Sequence, residues 1–289
     1  MDEMKGNSMA VFNSNDIYPV SADSELPFEQ HRDIFHLTGI DQEETILLLY
    51  PPSKDDKTRE ILFIRKSDNH TKVWEGEKLS KKQANELSGI DSIYFIDDFK
   101  DILSSIATKV DTFYINKNEH YRANSPVETR EDRFISWLLK KYPAHNVAKS
   151  NPILQRQRSI KHPDEIDQIK KACNITRKGF NRVLEFIKPN VWEYEIEAEF
   201  IHEFINSSSK GFAYSPIIAS GNDNNVLHYI KNNKQCKSGD LILMDVGAEY
   251  GNYSSDMTRT VPVSGKFSKR QKEIYLSLIH ISEPTRPAL

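Results

Sequence analysis

The chain has 289 residues, 38% hydrophobic and 28% charged, which is the balance of a folded globular protein and room enough for two domains. A formal charge of −3 supplies no basic surplus for a general attraction to nucleic acid or to an anionic membrane. Two cysteines, Cys173 and Cys236, stand far apart and outside any CxxC spacing, so neither a disulfide framework nor a CxxC metal pattern is present.

Residues 1–27 are polar and turn-rich, lack the apolar core of a secretory signal, and are expected to form a flexible leader. The longest apolar run, Thr45 to Tyr50, has strand length and is far too short to span a bilayer. A cytoplasmic location is therefore expected, and the Asn-x-Ser/Thr matches at Asn69, Asn174, Asn206 and Asn252 read as chance. From Phe28 onward, Ile46–Tyr50 and Glu60–Ile64 flank a Pro/Ser/Asp-rich turn and predict two buried strands. Ser80 is placed to cap a helix over Lys81–Leu87. Ser92–Ile96 predicts a strand, Phe99–Ala107 a helix, Thr112–Ile115 a further strand, and Glu131–Lys141 a helix with Phe134, Trp137 and Leu138 at helical spacing. Strand and helix alternate, so 28–150 is expected to be an α/β layer domain. The polar stretch Tyr142–Gln157, with Pro143 and Pro152, marks the expected junction to a second domain over 151–275.

That second domain opens on a strong helix signal, with Pro163 at the first position and Asp164 and Glu165 at the positive end of the dipole. Ile166, Ile169, Cys173, Phe180, Val183, Leu184 and Ile187 recur at helical spacing as its expected apolar face, which makes Cys173 a small core residue. Pro189 and Asn190 end this helix, and a second runs from Tyr194 to about Ile205. Tyr214–Ser220 predicts a strand, a Gly/Asn/Asp turn leads to His228, and Asp240–Val246 predicts another strand. Strand character returns at Thr260–Val263, and Ser268 with Gln271 starts a capped helix whose basic cluster reads as a solvated face.

Asp245 lies within the apolar run Leu241–Val246, where a carboxylate is costly unless something pairs with it. A two-residue hairpin loop at Tyr250-Gly251 would set Asp245 directly opposite Asp256, with Cβ atoms about 5 Å apart. Carboxylates that close repel each other, and divalent cations reverse the penalty. Asp256 alone would read as a solvated turn residue; together the two favour a metal site.

The string DVGAEYGNYSSDMTRT, from Asp245 to Thr260, resembles the first metal-binding segment of the pita-bread metallopeptidases: Xaa-Pro aminopeptidases, prolidases and methionine aminopeptidases. The resemblance implies that Asp245 binds one metal and that Asp256 bridges two. The segment IASGNDNNVLHY, from Ile218 to Tyr229, is similar to the family stretch whose histidine faces the substrate, which gives His228 a catalytic and substrate-binding role. Taken alone, a histidine after an apolar pair is more simply a structural residue. Tyr214 looks like a pocket-lining, substrate-binding residue, and core packing explains it equally well. FHLTGIDQEET, LFIRKSD and VWEGEKLS resemble the N-terminal domain shared by Xaa-Pro aminopeptidases and prolidases and absent from methionine aminopeptidases.

The implied fold is an α/β N-terminal domain followed by an α+β pita-bread (creatinase/aminopeptidase-like) catalytic domain, the latter incomplete. The implied cofactors are two divalent ions, Mn²⁺ by resemblance, with Co²⁺ or Zn²⁺ also suited to such ligands. The implied reaction is release of the N-terminal residue from Xaa-Pro peptides, with proline-containing peptides as partners, no nucleic acid or membrane, and a homo-oligomer open to the full-length protein. A prolidase confined to dipeptides is the nearest alternative. A non-catalytic peptide- or histone-binding member is another, although such members typically lack the aspartate pair. The family also needs a histidine and two glutamates, each in its own distinctive segment well beyond Asp256, and no such segment appears before Leu289. Residues 276–286 read LSLIHISEPTR, which matches the translation of a sequencing-library adapter. Residues 276–289 are accordingly expected to be foreign, His280 and Glu283 are not read as ligands, and the 289-residue chain is expected to be inactive. Reading the gene past the Tyr275 codon checks this: the frame should continue into segments carrying the histidine and both glutamates, and a genuine stop at Leu289 would count against the enzyme.

Overall fold

The computed structural model describes residues 1–120 and 126–282, which fall into two units, the first ending at Ile160 and the second starting at Lys161. Among the described residues no helix is long and apolar enough to cross a membrane.

The first unit runs β1 (Ser8–Asn13), β2 (Pro19–Ser21), β3 (Ser24–Glu25), α1 (Arg32–Thr38), β4 (Ile46–Leu49), β5 (Glu60–Ile64), α2 (Asn69–Trp74) and α3 (Lys81–Ser88). It continues through β6 (Ser92–Phe95), α4 (Phe99–Ala107), β7 (Thr112–Ile115), α5 (Arg130–Lys141), β8 (Asn146–Lys149) and α6 (Asn151–Ser159). Six strands form one sheet in the order β6-β5-β4-β1-β7-β8, in which β4 runs against β1 and β5 while the other pairings are parallel. Helices cover both faces. Phe99, Leu103 and Ile106 of α4 and Leu138 of α5 pack with Met9, Val11 and Phe63 on one side. Ile34 of α1, Ala84 of α3 and Leu154 of α6 pack with Ala10, Phe12 and Leu62 on the other.

Two expectations are corrected here. Residues 1–27 are not a leader throughout: β1 lies inside the sheet and all six of its residues are buried. A strand covered on both faces shows no polar alternation, and its four apolar residues Met9–Phe12 form too short a run to stand out from polar flanks. The unit boundary falls at Ile160 and not at 150, because Pro152, read as a linker residue, occupies the first turn of α6, where its missing N–H costs nothing.

The second unit begins with α7 (Pro163–Phe186) and α8 (Glu193–Asn206). These are followed by β9 (Gly211–Phe212), β10 (Ile217–Ser220), β11 (Leu241–Val246), β12 (Ala248–Tyr250), β13 (Tyr253–Ser254), β14 (Met257–Pro262) and α9 (Lys269–Ser282). The strands make two small antiparallel sheets, β10-β11-β14 and β13-β12-β9. Ile175, Phe180 and Val183 of α7 and Ile196, Phe200 and Phe204 of α8 share a core with Ile242, Met244, Val246 and Ala248. The helix boundaries at Pro163 and near Asn206 agree with the capping and periodicity signals, and the Glu165 carboxylate accepts the His162 N–H as a capping box.

Cys173 is exposed, contrary to the expectation of a core position, and Ile166 and Leu184 are exposed with it. The buried stripe is Ala172, Ile175, Thr176, Gly179, Phe180 and Val183. Counting large apolar residues misses this stripe because the seam needs small ones: a Cβ on Gly179 would sit 2.7 Å from the Phe204 ring and 2.9 Å from the Phe200 ring. α9 starts at the Ser268–Gln271 cap and passes through Tyr275 to Ser282; Glu283 and the side chain of His280 lie outside the described residues.

Met9→Ala should therefore destabilise the first unit by about 2–5 kcal/mol, as truncation of a fully buried side chain does, whereas a flexible leader would tolerate it. Gly179→Ala should cost the second unit about 1–3 kcal/mol by overpacking. Urea denaturation followed by circular dichroism checks both.

Candidate metal and substrate site

Along β11 the side chains alternate. Ile242, Met244 and Val246 enter the helix-covered core, while Leu243 joins Ile217, Ala219 and Tyr229 in a second apolar cluster. Asp245 is two residues beyond Leu243 and so shares its face, away from α7 and α8. The chain then crosses itself at Gly247, where an added Cβ would lie 1.8 Å from the Ser255 carbonyl oxygen. No other residue fits there without moving backbone.

The hairpin turns at Gly251 and Asn252, whose φ values of 57° and 66° are both left-handed, as a two-residue hairpin loop requires. Tyr250 pairs with Tyr253 and Glu249 with Ser254. The loop thus lies one residue later than expected, because asparagine tolerates the second left-handed position and tyrosine does not. Asp245 consequently faces Thr258 and not Asp256. Asp256 is two residues before Thr258, a diagonal neighbour on the same face, so the two carboxylates still meet.

Tyr214 joins them. Its hydroxyl lies 2.7 Å from Asp245 Oδ1 and 3.2 Å from Asp256 Oδ1, and its single proton is shared between the two. Burial, and then the Asp245 hydrogen bond and the charge of both carboxylates, hold the phenol well above its usual range. Tyr214 lies in the turn between β9 and β10, not in a strand as expected, and the neighbouring Ala213 N–H donates to the Gly247 carbonyl at 2.8 Å. Gly247 also leaves room for the Tyr214 ring, which passes 3.1 Å from where a Cβ would stand.

The base of the hairpin is fixed from α7. Thr176 Oγ1 and Ser255 Oγ lie 2.6 Å apart, and the Ala248 N–H reaches them at 2.9 Å and 3.0 Å. Sequence reasoning missed both hydroxyls; a polar residue at a buried helix position carries no signal until its partner is known. Glu249 is buried nearby, and its Oε1 accepts the Asn252 N–H and so secures the turn.

His228 is exposed on the turn after a short 3-10 segment, Gly221–Asn225, and among the described residues no hydrogen bond or ion pair ties it to the carboxylates. The next residue, Tyr229, is buried against Leu243 on the Asp245 face, so the chain beside His228 rests on the side of the sheet that carries the carboxylates. Among the described residues no group of three or more His, Cys, Asp or Glu side chains could hold a metal ion. Two carboxylates converging on one small polar atom nonetheless suit a divalent cation as two of its oxygen ligands.

The sequence models of two families match this chain: metallopeptidase family M24 over residues 167–281, and the N-terminal domain of aminopeptidase P over residues 1–114. The Xaa-Pro aminopeptidase of Escherichia coli is 31% identical over 281 residues, which is 95% of this chain and 62% of that protein. Human Xaa-Pro aminopeptidase 3 is 30% identical over 93% of this chain and 53% of its own length. Among solved structures, zinc-substituted E. coli aminopeptidase P in complex with product superposes with a TM-score of 0.85 at 30% identity, covering 96% of this chain and 63% of that one. Pseudomonas aeruginosa aminopeptidase P gives a TM-score of 0.86 at 29% identity with the same coverage. A paired-carboxylate hairpin beneath two helices, following an α/β unit, is the scaffold of a pita-bread metallopeptidase. The chain thus joins a segment similar to metallopeptidase family M24 to one similar to the aminopeptidase P N-terminal domain, has the aminopeptidase P fold over that length, and spans about 62% of the length of its E. coli relative.

The Tyr214 environment makes a prediction of definite sign. A phenol whose pKa is raised in the fold adds stability that is complete below the ordinary value of 10 and is lost as pH rises above it. Tyr214→Phe should therefore lose stability less steeply above pH 10 than wild type. In an alkaline absorbance titration it should remove one late-ionising tyrosine.

Proposed function

We propose that the chain is the first part of a two-metal aminopeptidase that releases the N-terminal residue from peptides with proline second. The convergence of Asp245 and Asp256 on the Tyr214 hydroxyl is the observation that supports this most directly. In this reading Asp245 and Asp256 would hold the ions, Mn²⁺ in the first instance, with Co²⁺ and Zn²⁺ acceptable to the same ligand types. When bound, the ions supply Lewis-acid polarisation of the scissile carbonyl and of the attacking water.

The protein's own residues do the rest. Asp245 and Asp256 are set diagonally by a rigid hairpin, so little rearrangement is needed to receive cations. Tyr214, protonated across the working pH range, donates to whichever carboxylate oxygen faces it and lines the substrate side. His228 is exposed and free to meet a peptide, where it helps bind substrate and steadies the charge that develops on the carbonyl oxygen. The histidine and two glutamates that complete the ligand set belong, in this reading, to the length of the relatives that this chain does not span.

The test compares the 289-residue chain with a version extended by its gene's own continuation, assayed on a tripeptide with proline second in the presence of Mn²⁺. The extended protein should cleave, and Asp245→Asn or Asp256→Asn should reduce turnover at least about 100-fold, since even outer partners of metal ligands cost up to that much. The 289-residue chain should show none. Robust turnover by the 289-residue chain refutes its inactivity, cleavage of dipeptides alone converts the reading to a prolidase, and peptide binding without hydrolysis converts it to a binding protein.

A further inference from the structure

The loop that presents His228 spans Gly221–Asn233, between β10 and the stretch that leads to β11. Its tip is exposed at Val226, Leu227, His228 and Ile230, and a loop so open would be expected to wander. One carboxylate restrains it. Glu193, the first residue of α8, is 0% exposed. Its Oε1 accepts the Ser220 N–H at 2.8 Å and the Ser220 hydroxyl at 2.7 Å. Its Oε2 accepts the Tyr229 hydroxyl at 2.7 Å and the Lys234 N–H at 2.9 Å. Ser220 precedes the loop, Lys234 follows it, and Tyr229 is the immediate neighbour of His228, so a single side chain grips both ends and the middle. The Glu193 N–H also donates to the Lys234 carbonyl at 2.9 Å, which fixes the gripping residue to the same loop base.

The chemistry of the grip requires an acid. Two of the four donors are backbone N–H groups, which cannot turn round to accept, and each points at a different carboxylate oxygen. A carboxylate accepts at both ends, whereas an amide sets an NH₂ against one of those donors. Other contacts brace the loop piecewise: the Tyr229 ring packs against Leu243, and Asn224 donates to the Leu241 carbonyl and accepts the Leu243 N–H. The Lys234 ammonium pairs with Asp223, and Asn232 accepts the Ile218 N–H at 3.0 Å.

We propose that Glu193 is a positioning residue for His228: through Ser220, Tyr229 and Lys234 it holds the Gly221–Asn233 loop so that His228 is presented on the Asp245 face of the sheet. The inference rests on the substrate-facing role given to His228 above. Glu193 itself touches neither substrate nor metal.

The experiment has two arms. In the first, hydrogen exchange on the 289-residue chain compares wild type with Glu193→Gln and with the milder Tyr229→Phe, which removes one hydroxyl only. Amides of 221–235 should exchange about ten-fold faster in Glu193→Gln while those of α7 keep their protection, since one backbone donor is left without an acceptor. Unchanged loop exchange in both variants overturns the proposal. In the second arm, Glu193→Gln, His228→Ala and the double variant are compared in the gene-extended protein. If Glu193 acts through His228, Glu193→Gln alone should lower kcat about ten-fold with little change in KM, and should cost nothing further once His228 is alanine. Additive losses mean that Glu193 is merely structural and overturn this proposal alone. Full activity of His228→Ala removes the role of His228, and the positioning proposal falls with it. Absence of turnover in the wild-type extended protein counts against the proposed function instead, and the exchange arm then decides whether Glu193 holds the loop.

Discussion

The site depends on the crossing at Gly247. There the hairpin strands come closer than any side chain permits, and the Ser255 carbonyl occupies the space a Cβ would need. That closeness lets Asp245 before the crossing and Asp256 beyond it approach the same phenolic oxygen although they are not paired in register. It also opens room for the Tyr214 ring and brings the Ala213 N–H to the Gly247 carbonyl, so the segment that carries the tyrosine is fastened to the residue that admits it. The Thr176–Ser255 hydroxyl pair locks the base of this arrangement to α7. Geometry at the carboxylates is therefore a property of backbone, and a backbone-determined site changes little when its occupant arrives.

Much of this was legible in the amino-acid order, for reasons that differ by residue. Asp245 announced itself because a charge inside Leu241–Val246 has no cheap explanation. Ser80, Pro163 and Ser268 marked helix starts because capping chemistry is local and needs no knowledge of the fold. What failed was whatever depended on a distant partner. β1 was invisible because its neighbours in the sheet, β4 and β7, come far later in the chain. Cys173 was misplaced because the stripe α7 buries is set by how closely Phe200 and Phe204 approach, which only a small residue such as Gly179 reveals. The hairpin register was displaced because Gly251 could serve as either loop position, and the willingness of Asn252 to adopt a left-handed backbone settled which. The face survived that error because side chains repeat every two residues along a strand, and the error moved Asp256 by two residues relative to Asp245.

The two halves of the site are held by opposite means. Asp245 sits on β11 and Asp256 in the two-residue break between β13 and β14, both beside the close crossing at Gly247 and both bonded to the Tyr214 hydroxyl. His228 lies in an irregular, exposed turn that no ladder restrains, and its place is set by a buried acceptor working at a distance. The difference suits what each half must do. Ligands for a cation profit from stiffness, because the repulsion between Asp245 and Asp256 is overcome only if both are already in place when the cation arrives. A histidine that meets a peptide must allow the peptide to enter, so the tip bearing Val226 and Leu227 is left in solvent while Tyr229, one residue on, is pinned beneath it. With the roles proposed above for the carboxylates and His228, stiff ligands beside an anchored but open loop would give a surface that accepts a substrate without losing the geometry that acts on it.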